Sequence, residues 1–419
     1  MTTVETTSVW RNRDFRLVWF GQTLSELGNG ASQLAYPLVM LALTGSPAAA
    51  GALAAVRALP YLMFGLVAGA LVDRWDRRRT MIVCDLARAL NMATIPVVLV
   101  VWRLTPEHLF VTGFLGAVFY VFFSAAESAC LPNIVRTEQL TAAVSAQETS
   151  QSAVGVVSGP LGGALLQLLR GLPFLLDALS FLVSALCMFF VRTPLRRESQ
   201  DGETGEAPDE QRSLRREVTE GVRWLWRHGQ LRLIAITAAG LQVAISGVGL
   251  VAIVLARDAG ASPATVGVLF AALGIGGVAG SLLAPVLRKW LGPGGLLLSV
   301  LWLQAAFWVL MAFAGNLVVL AVVLALFTIS MPCFGIVALS YQLEVTPDHL
   351  LGRVSTSFNL MIWAATPVGA AAAGVLLDVF TPGTAALVFA GWVLVLAVVT
   401  TVSGSLRALG RDHDEEAVR

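Results

Sequence analysis

The chain has 419 residues, of which 56% are hydrophobic and only 13% charged. Soluble domains carry about 25% charged residues, so the composition excludes a soluble protein and indicates a polytopic membrane protein. A net charge of +1 gives no electrostatic footprint for a nucleic acid. The four cysteines, Cys84, Cys130, Cys187 and Cys333, have no CxxC or metal spacing and read as packing residues.

Apolar runs long enough to cross a hydrocarbon core of roughly 30 Å predict twelve helices, at about 15–43, 48–72, 80–102, 108–130, 141–169, 172–191, 231–256, 264–287, 294–314, 317–339, 350–379 and 383–405. The polar stretch from Met1 to Arg13 leads straight into the first of them, so no signal peptide is expected. Between the sixth and seventh helices lies the polar run Gln200 to Glu206, which cannot bury apolar area. The stretch Leu214 to Trp226 follows, with Val218, Val222, Leu225 and Trp226 on one side and Arg215, Arg216 and Arg223 among them. It reads as an amphipathic helix at the membrane surface. The predicted organisation is an N-terminal six-helix half (1–191), a central cytoplasmic loop with its amphipathic helix (192–230), a C-terminal six-helix half (231–405) and a cytoplasmic tail (406–419). Basic residues set the orientation: most lie at one side, in the loops around Arg11, Arg77, Arg136, Arg215, Arg288 and Arg353, and the other side has Arg103, Arg170 and Arg257. By the positive-inside rule both termini and the central loop face the cytoplasm.

The two halves echo each other. Ser46-Pro47-Ala48 with Gly51 recurs as Ser262-Pro263-Ala264 with Gly267; Gly65 and Gly69 recur as Gly276 and Gly280; Val135 to Ser145 matches Val345 to Ser355; Gly159-Pro160-Leu161-Gly162 is echoed by Thr366-Pro367-Val368-Gly369. Each match falls about 210 positions later, in the same order. The expected fold is therefore an all-α membrane protein of two parallel six-helix pseudo-repeats. A seam between such repeats at membrane depth is where transporters bind cargo.

A charge at bilayer depth costs at least about 2.5–3.5 kcal/mol on insertion scales and is a functional candidate. Glu26 lies about ten residues into the first helix, roughly 15 Å along it and near the midplane. Gln22, Ser25, Glu26, Asn29 and Gln33 form one polar stripe at helical spacing, which cannot face lipid. Arg57 reaches a similar depth on the second helix, and Asp85 and Arg88 sit at i, i+3 on the third. Glu127 and Glu148 lie nearer the cytoplasmic ends of the fourth and fifth. Glu26, Arg57, Asp85, Arg88 and Glu148 are the candidates for proton coupling; for Asp85 and Arg88 a buried structural pair is the alternative. The interior of the second half has no such charges but offers Gln242, Tyr341, Asn359 and Trp363, which join Gln22, Asn29 and Gln33 as candidate cavity lining. No nucleotide-binding loop, metal cluster or Ser-His-Asp arrangement is present in the sequence, so no cofactor or metal is expected and energy has to come from an ion gradient or from the cargo's own.

Between the second and third helices the chain reads Gly69-Ala70-Leu71-Val72-Asp73-Arg74-Trp75-Asp76-Arg77-Arg78-Arg79. This resembles the signature loop of the major facilitator superfamily, Gly-x-Leu-Ala-Asp-Arg-x-Gly-Arg-Arg, with Asp76 where that family usually has glycine. The second-half counterpart, Gly280 to Lys289, keeps the glycine and the basic pair but has Ala284 in place of Asp73. Gly69 is expected to let two helices approach closely. Asp73 is expected to face the N-terminus of the helix that starts near Leu350, where backbone N–H groups favour an anion. With Arg74 and Arg77 these residues form a candidate gating loop; the alternative is a topology anchor. Gly155-x-x-x-Gly159-Pro160-x-Gly162-Gly163 on the fifth helix is similar to the antiporter motif of proton-driven exporters, one residue shorter than its usual Gly-Pro-x-x-Gly-Gly core. Gly155, Gly159, Pro160 and Gly163 would give a flat, kinked face, with Gly276 and Gly280 as the possible opposing face. Asp85-x-x-Arg88 and Leu175-Leu176-Asp177-Ala178-Leu179-Ser180-Phe181 resemble the macrolide-efflux and enterobactin-exporter branch. The resemblance implies a proton-coupled exporter of amphiphilic organic compounds, a monomer in the cell membrane with small-molecule cargo, protons and lipid as partners, and no enzyme. An uptake permease, and beyond it a membrane sensor or membrane enzyme, are the other readings.

Overall fold

The computed structural model describes residues 8–72, 74–128, 130–193 and 214–403, with Ala70 and 214–218 described as backbone alone. All regular structure among the described residues is helical. In chain order the helices are α1 (Arg13–Thr44), α2 (Pro47–Val72), α3 (Arg77–Val101), α4 (Pro106–Ser128), the single turn α5 (Leu131–Ile134), α6 (Leu140–Leu168), α7 (Leu172–Phe190), α8 (Leu214–Arg227), α9 (Gly229–Asp258), α10 (Pro263–Ala312), α11 (Leu317–Ile329), α12 (Met331–Val345), α13 (Asp348–Val379) and α14 (Pro382–Val402).

Local chemistry sets the boundaries. Asn12 caps α1 by accepting from the backbone N–H groups of Asp14 (3.0 Å) and Phe15 (3.2 Å), while its amide donates to the Ile134 carbonyl at 2.8 Å. Gly45, with φ 69°, ends α1 in the left-handed region that favours glycine. Asp76, where a glycine is usual in the resembling loop, caps α3 by accepting from the Arg79 N–H at 3.0 Å. Gly292 (φ 64°, ψ 168°) breaks the 50-residue α10 just before Pro293, so the eighth and ninth expected helices run on from one another with a sharp break and no intervening loop. Among the described residues nine helical segments are long and apolar enough to cross a membrane. Neither α1 nor α6 is among them, because their polar residues lower the hydropathy.

The chain divides into two compact units. The first comprises 1–45, 56–205 and 262–271, and the second 46–55, 206–261 and 272–419. In the first unit α1 packs mainly on α7 and α6, and α3 on α7 and α4. The start of α1 is tied to the chain after α7 by Asp14, which accepts from the N–H groups of Arg192 (3.1 Å) and Thr193 (2.8 Å) and from the Thr193 hydroxyl (2.6 Å). Burial pushes the Asp14 carboxyl up, but the hydrogen bonds from Thr193 and Arg192 outweigh it and leave it below the ordinary value. Its contribution to stability is therefore present above the unfolded carboxyl's range and is lost as pH falls through the folded one.

The glycine face of α6 is packed at two places. A Cβ on Gly162 would meet the Ala31 carbonyl oxygen of α1 at 2.6 Å. A Cβ on Gly159 would meet the Gly267 carbonyl oxygen at 2.9 Å, and one on Gly163 would run into the Pro263 carbonyl oxygen and Gly267. The opposing face is thus Pro263 and Gly267, in the first turns of α10. Gly276 and Gly280 pack instead on the Ala325 and Ile329 carbonyls of α11. The reason is depth: Gly276 lies nine residues beyond Gly267, roughly 13 Å further along the helix.

In the second unit α13 packs on α9 and α8, and Gly51 approaches Gly374 and Ala370 of α13 backbone to backbone. The expected surface helix, α8, is docked on α13. Gly221 faces the Arg353 carbonyl, Glu220 pairs with Arg353 at 2.6 Å, and Leu225 is buried. Trp226, which the helical pattern places with the apolar side, remains exposed.

These contacts distinguish glycines that look alike in the motif. An added Cβ at Gly155 meets nothing within 4 Å. Gly155→Ala should therefore be neutral or stabilising by up to about 1 kcal/mol, whereas Gly163→Ala should cost about 1–3 kcal/mol by overpacking against backbone. Unfolding midpoints in detergent check this; equal effects would overturn the packing assignment.

Candidate functional site

The polar stripe of α1 does not act as one surface. Gln22 and Ser25 are buried, Glu26 and Asn29 half-buried, and Gln33 exposed. Gln22, Thr23 and Glu26 line a small, partly open cavity of about 20 Å³, together with Phe15, Val18 and Trp19 of the same helix, Glu127 of α4, Cys130 and Leu131, and Gln147 and Ser150 of α6. A space of that size holds about one water molecule, so it is a site for a very small ligand and not for a drug-sized cargo.

Two glutamines hold the two carboxylates. Gln151 donates to Glu26 at 3.1 Å and Gln147 to Glu127 at 3.3 Å. The glutamines are at i and i+4 on α6, so one helix face serves both acids. Glu148, between them in sequence, is exposed but close enough to act electrostatically on Glu26. Arg57 does not meet Glu26: its guanidinium lies over the Tyr36 ring, 4.3 Å from the centroid, a cation–π contact.

Asp85 and Arg88 do come together, at 3.5 Å, with relative exposures of 0% and 3%. Arg88 is enclosed by the rings of Phe181 (3.8 Å), Tyr120 (5.2 Å) and Phe123 (5.4 Å). The Ser184 hydroxyl of α7 is close enough to act on the Asp85 carboxyl, so the pair is held by its own Coulomb attraction, the aromatic cage and this hydroxyl. Behind it, Asp177 of α7 is fully buried and accepts from the Ser32 hydroxyl at 2.5 Å. Glu127, which lines the cavity, and Asp177, which does not, are buried or half-buried carboxylates that the sequence does not single out as candidates. A signal for them exists: each is a carboxylate within an apolar helix. Their partners, Gln147 and Ser32, come from distant segments.

In the loop, Asp73 lies outside the described residues. Arg74 is exposed and Arg77 buried. Gly69 is not at a close helix approach, since an added Cβ would meet nothing within 4 Å. Arg78 ties the loop to α7, where it donates to the carbonyls of Met188 (3.0 Å) and Phe189 in the last turn. A helix C-terminus favours a cation there. In the second unit Gln242 donates to Thr366 at 3.1 Å, Tyr341 bonds to Gln230, Asn359 is exposed and Trp363 half-buried. Among the described residues no cluster of His, Cys, Asp or Glu has the make-up of a metal site.

This apolar helical chain, with polar groups buried among its helices, matches the model of the transmembrane secretion effector family over residues 5–417. The chain belongs to that family of major facilitator transporters. It is 29% identical over 410 residues to the multidrug efflux pump Tap of Mycolicibacterium fortuitum, covering 94% of this chain and 96% of that protein. It is also 29% identical over 182 residues to macrolide efflux protein A of Streptococcus pyogenes, covering 43% of this chain and 45% of that one. Among solved structures, a bacterial homologue of the iron transporter ferroportin in an inward-facing state aligns with a TM-score of 0.73 at 16% identity, over 95% of this chain and all of that one. The nucleoside transporter NupG aligns with a TM-score of 0.72 at 14% identity, over 93% and 98%. These structural likenesses establish the fold. The protein is thus a multi-pass membrane transporter of the major facilitator type with efflux pumps among its relatives.

The geometry separates the two roles open to Asp85 and Arg88. Arg88→Met alone strands a buried carboxylate and should cost about 3–5 kcal/mol, while Arg88→Met with Asp85→Leu should recover most of that loss. Detergent unfolding reads the stability. A stable double variant that transports normally assigns the pair to structure; one that is stable but has lost gradient-driven transport assigns it to coupling.

Proposed function

We propose that this transporter is a proton-coupled exporter of amphiphilic organic compounds, such as drugs, antibiotics or secondary metabolites. It works in the cell membrane by alternating access between two parallel six-helix halves. The nine apolar segments, one of which is α10 with its two arms around Gly292, together with α1 and α6, support a plan of twelve crossings. The arginine distribution supports cytoplasmic termini and a cytoplasmic central loop. Two lines support export: the efflux names of relatives that align with it, and the antiporter-like glycine face of α6.

The observation that carries the coupling is Glu26, half-buried on α1, facing a small cavity and held, among the described residues, by a neutral glutamine with no ion pair to a cation. A carboxylate fixed by an arginine would stay charged; one held by an amide can exchange a proton as the site opens and closes. Asp73, the residue directly after α2 in sequence, is the proposed gate, expected to make and break a contact with the N-terminus of the helix that starts near Leu350 as the cytoplasmic side opens.

Cells with and without the protein, loaded with a macrolide or a fluorescent amphiphilic dye, test this reading. Accumulation should fall when the protein is present and return when the proton gradient is collapsed. Glu26→Gln should bind the compound but accumulate it as cells without the protein do; export that survives collapse of the gradient excludes proton coupling.

Asp73→Asn should sharply slow export with expression and cargo binding nearly unchanged. Normal transport by that variant would reduce the loop to a topology anchor.

A further inference from the structure

The cavity beside Glu26 contains a second carboxyl that the coupling reading does not use. Glu127, in the last turn of α4, lines it from the opposite side. The two acids take their neutral donors, Gln151 and Gln147, from successive turns of α6. A third amide completes the site. Gln22 is 6% exposed, lines the same cavity, and its Nε2 donor is buried without a partner.

These groups constrain what fits between them. The ligand must accept a hydrogen bond from the Gln22 amide, present hydrogen to two carboxyls, and occupy a space of about 20 Å³. A bare metal cation gives the Gln22 N–H nothing to bond to. An organic cargo is too large. One water molecule meets all three demands. Two carboxylates lining one small cavity with Phe15 and Val18 repel each other, and one proton held between them relieves the repulsion.

Resting on proton coupling as proposed above, we infer that Glu26, Glu127 and a water held by Gln22 form one proton-sharing site, so that the transported proton belongs to the pair and not to Glu26 alone. The charged and titratable groups around it are Glu148 on α6, Tyr120 on α4, Asp85 and Arg88 on α3, and Arg77 and Asp76 beside Cys130. Arg88 is engaged by Asp85 at 3.5 Å, which leaves the two glutamates to share a proton between themselves.

The test needs no cargo. Purified full-length protein is taken through a pH jump across the neutral range, and protons exchanged per molecule are counted with an indicator dye. Glu26→Gln and Glu127→Gln should each lose one exchangeable proton relative to wild type, and the double variant should lose no more than either. Gln22→Met, similar in size but without the amide donor, should lose the same proton with both carboxyls in place, which keeps the test decisive if a glutamate variant misfolds. A wild-type count in Glu127→Gln overturns the pairing, a double loss in the double variant makes the sites independent, and a wild-type count in Gln22→Met removes the water bridge. A wild-type protein that shows the shared proton but does not lower dye accumulation would sink the export reading and leave the site standing.

Discussion

A bilayer core offers a charged side chain no water, so each ionisable group within it has to find its partners inside the protein. The first unit is organised around that demand. Asp85 and Arg88 neutralise each other inside an aromatic cage, Asp177 takes the Ser32 hydroxyl, and Glu26 and Glu127 take amides from Gln151 and Gln147. These solutions differ in kind. An ion pair fixes charge in place, whereas a carboxyl held by a neutral amide keeps the freedom to gain and lose a proton. The same constraint explains why α1 and α6 carry the polar residues: they face each other and α4, where partners exist, and so need not be apolar throughout.

Close packing supplies the second organising element. Gly159 and Gly163 let α6 meet the first turns of α10, Gly162 admits α1, and Gly51 meets Gly374 in the second unit. In lipid, where apolar surface gains nothing by leaving one neighbour for another, backbone approach through small residues provides the dispersion contacts that hold helices together. Gly155 takes no part in this despite its place in the same motif. The packed part of the motif is therefore the single turn Gly159–Gly163, with Gly155 a spare position. The glycine contacts and the carboxylate cavity both lie on α6, and this helix connects packing to the proposed coupling: a shift that opened the glycine face would also move Gln147 and Gln151 relative to the acids they hold.

The sequence by itself determined the membrane class, the all-helical fold and the family. Those depend on composition, on period and on short-range spacing, which survive without coordinates. It also placed Glu26 in the interior and Asp85 within reach of Arg88, because i, i+3 neighbours on a helix are necessarily close. What it could not decide were the partners across helices. Arg57, expected at the depth of Glu26, lies instead over Tyr36, ten residues further along α1; Gly276 and Gly280 pack on α11; α8 packs on α13; and Glu127 meets the cavity from α4. Each of these depends on the rotation and axial offset of one helix against another. Those are fixed by the sum of many small side-chain contacts between segments distant in the chain, and no local pattern records them.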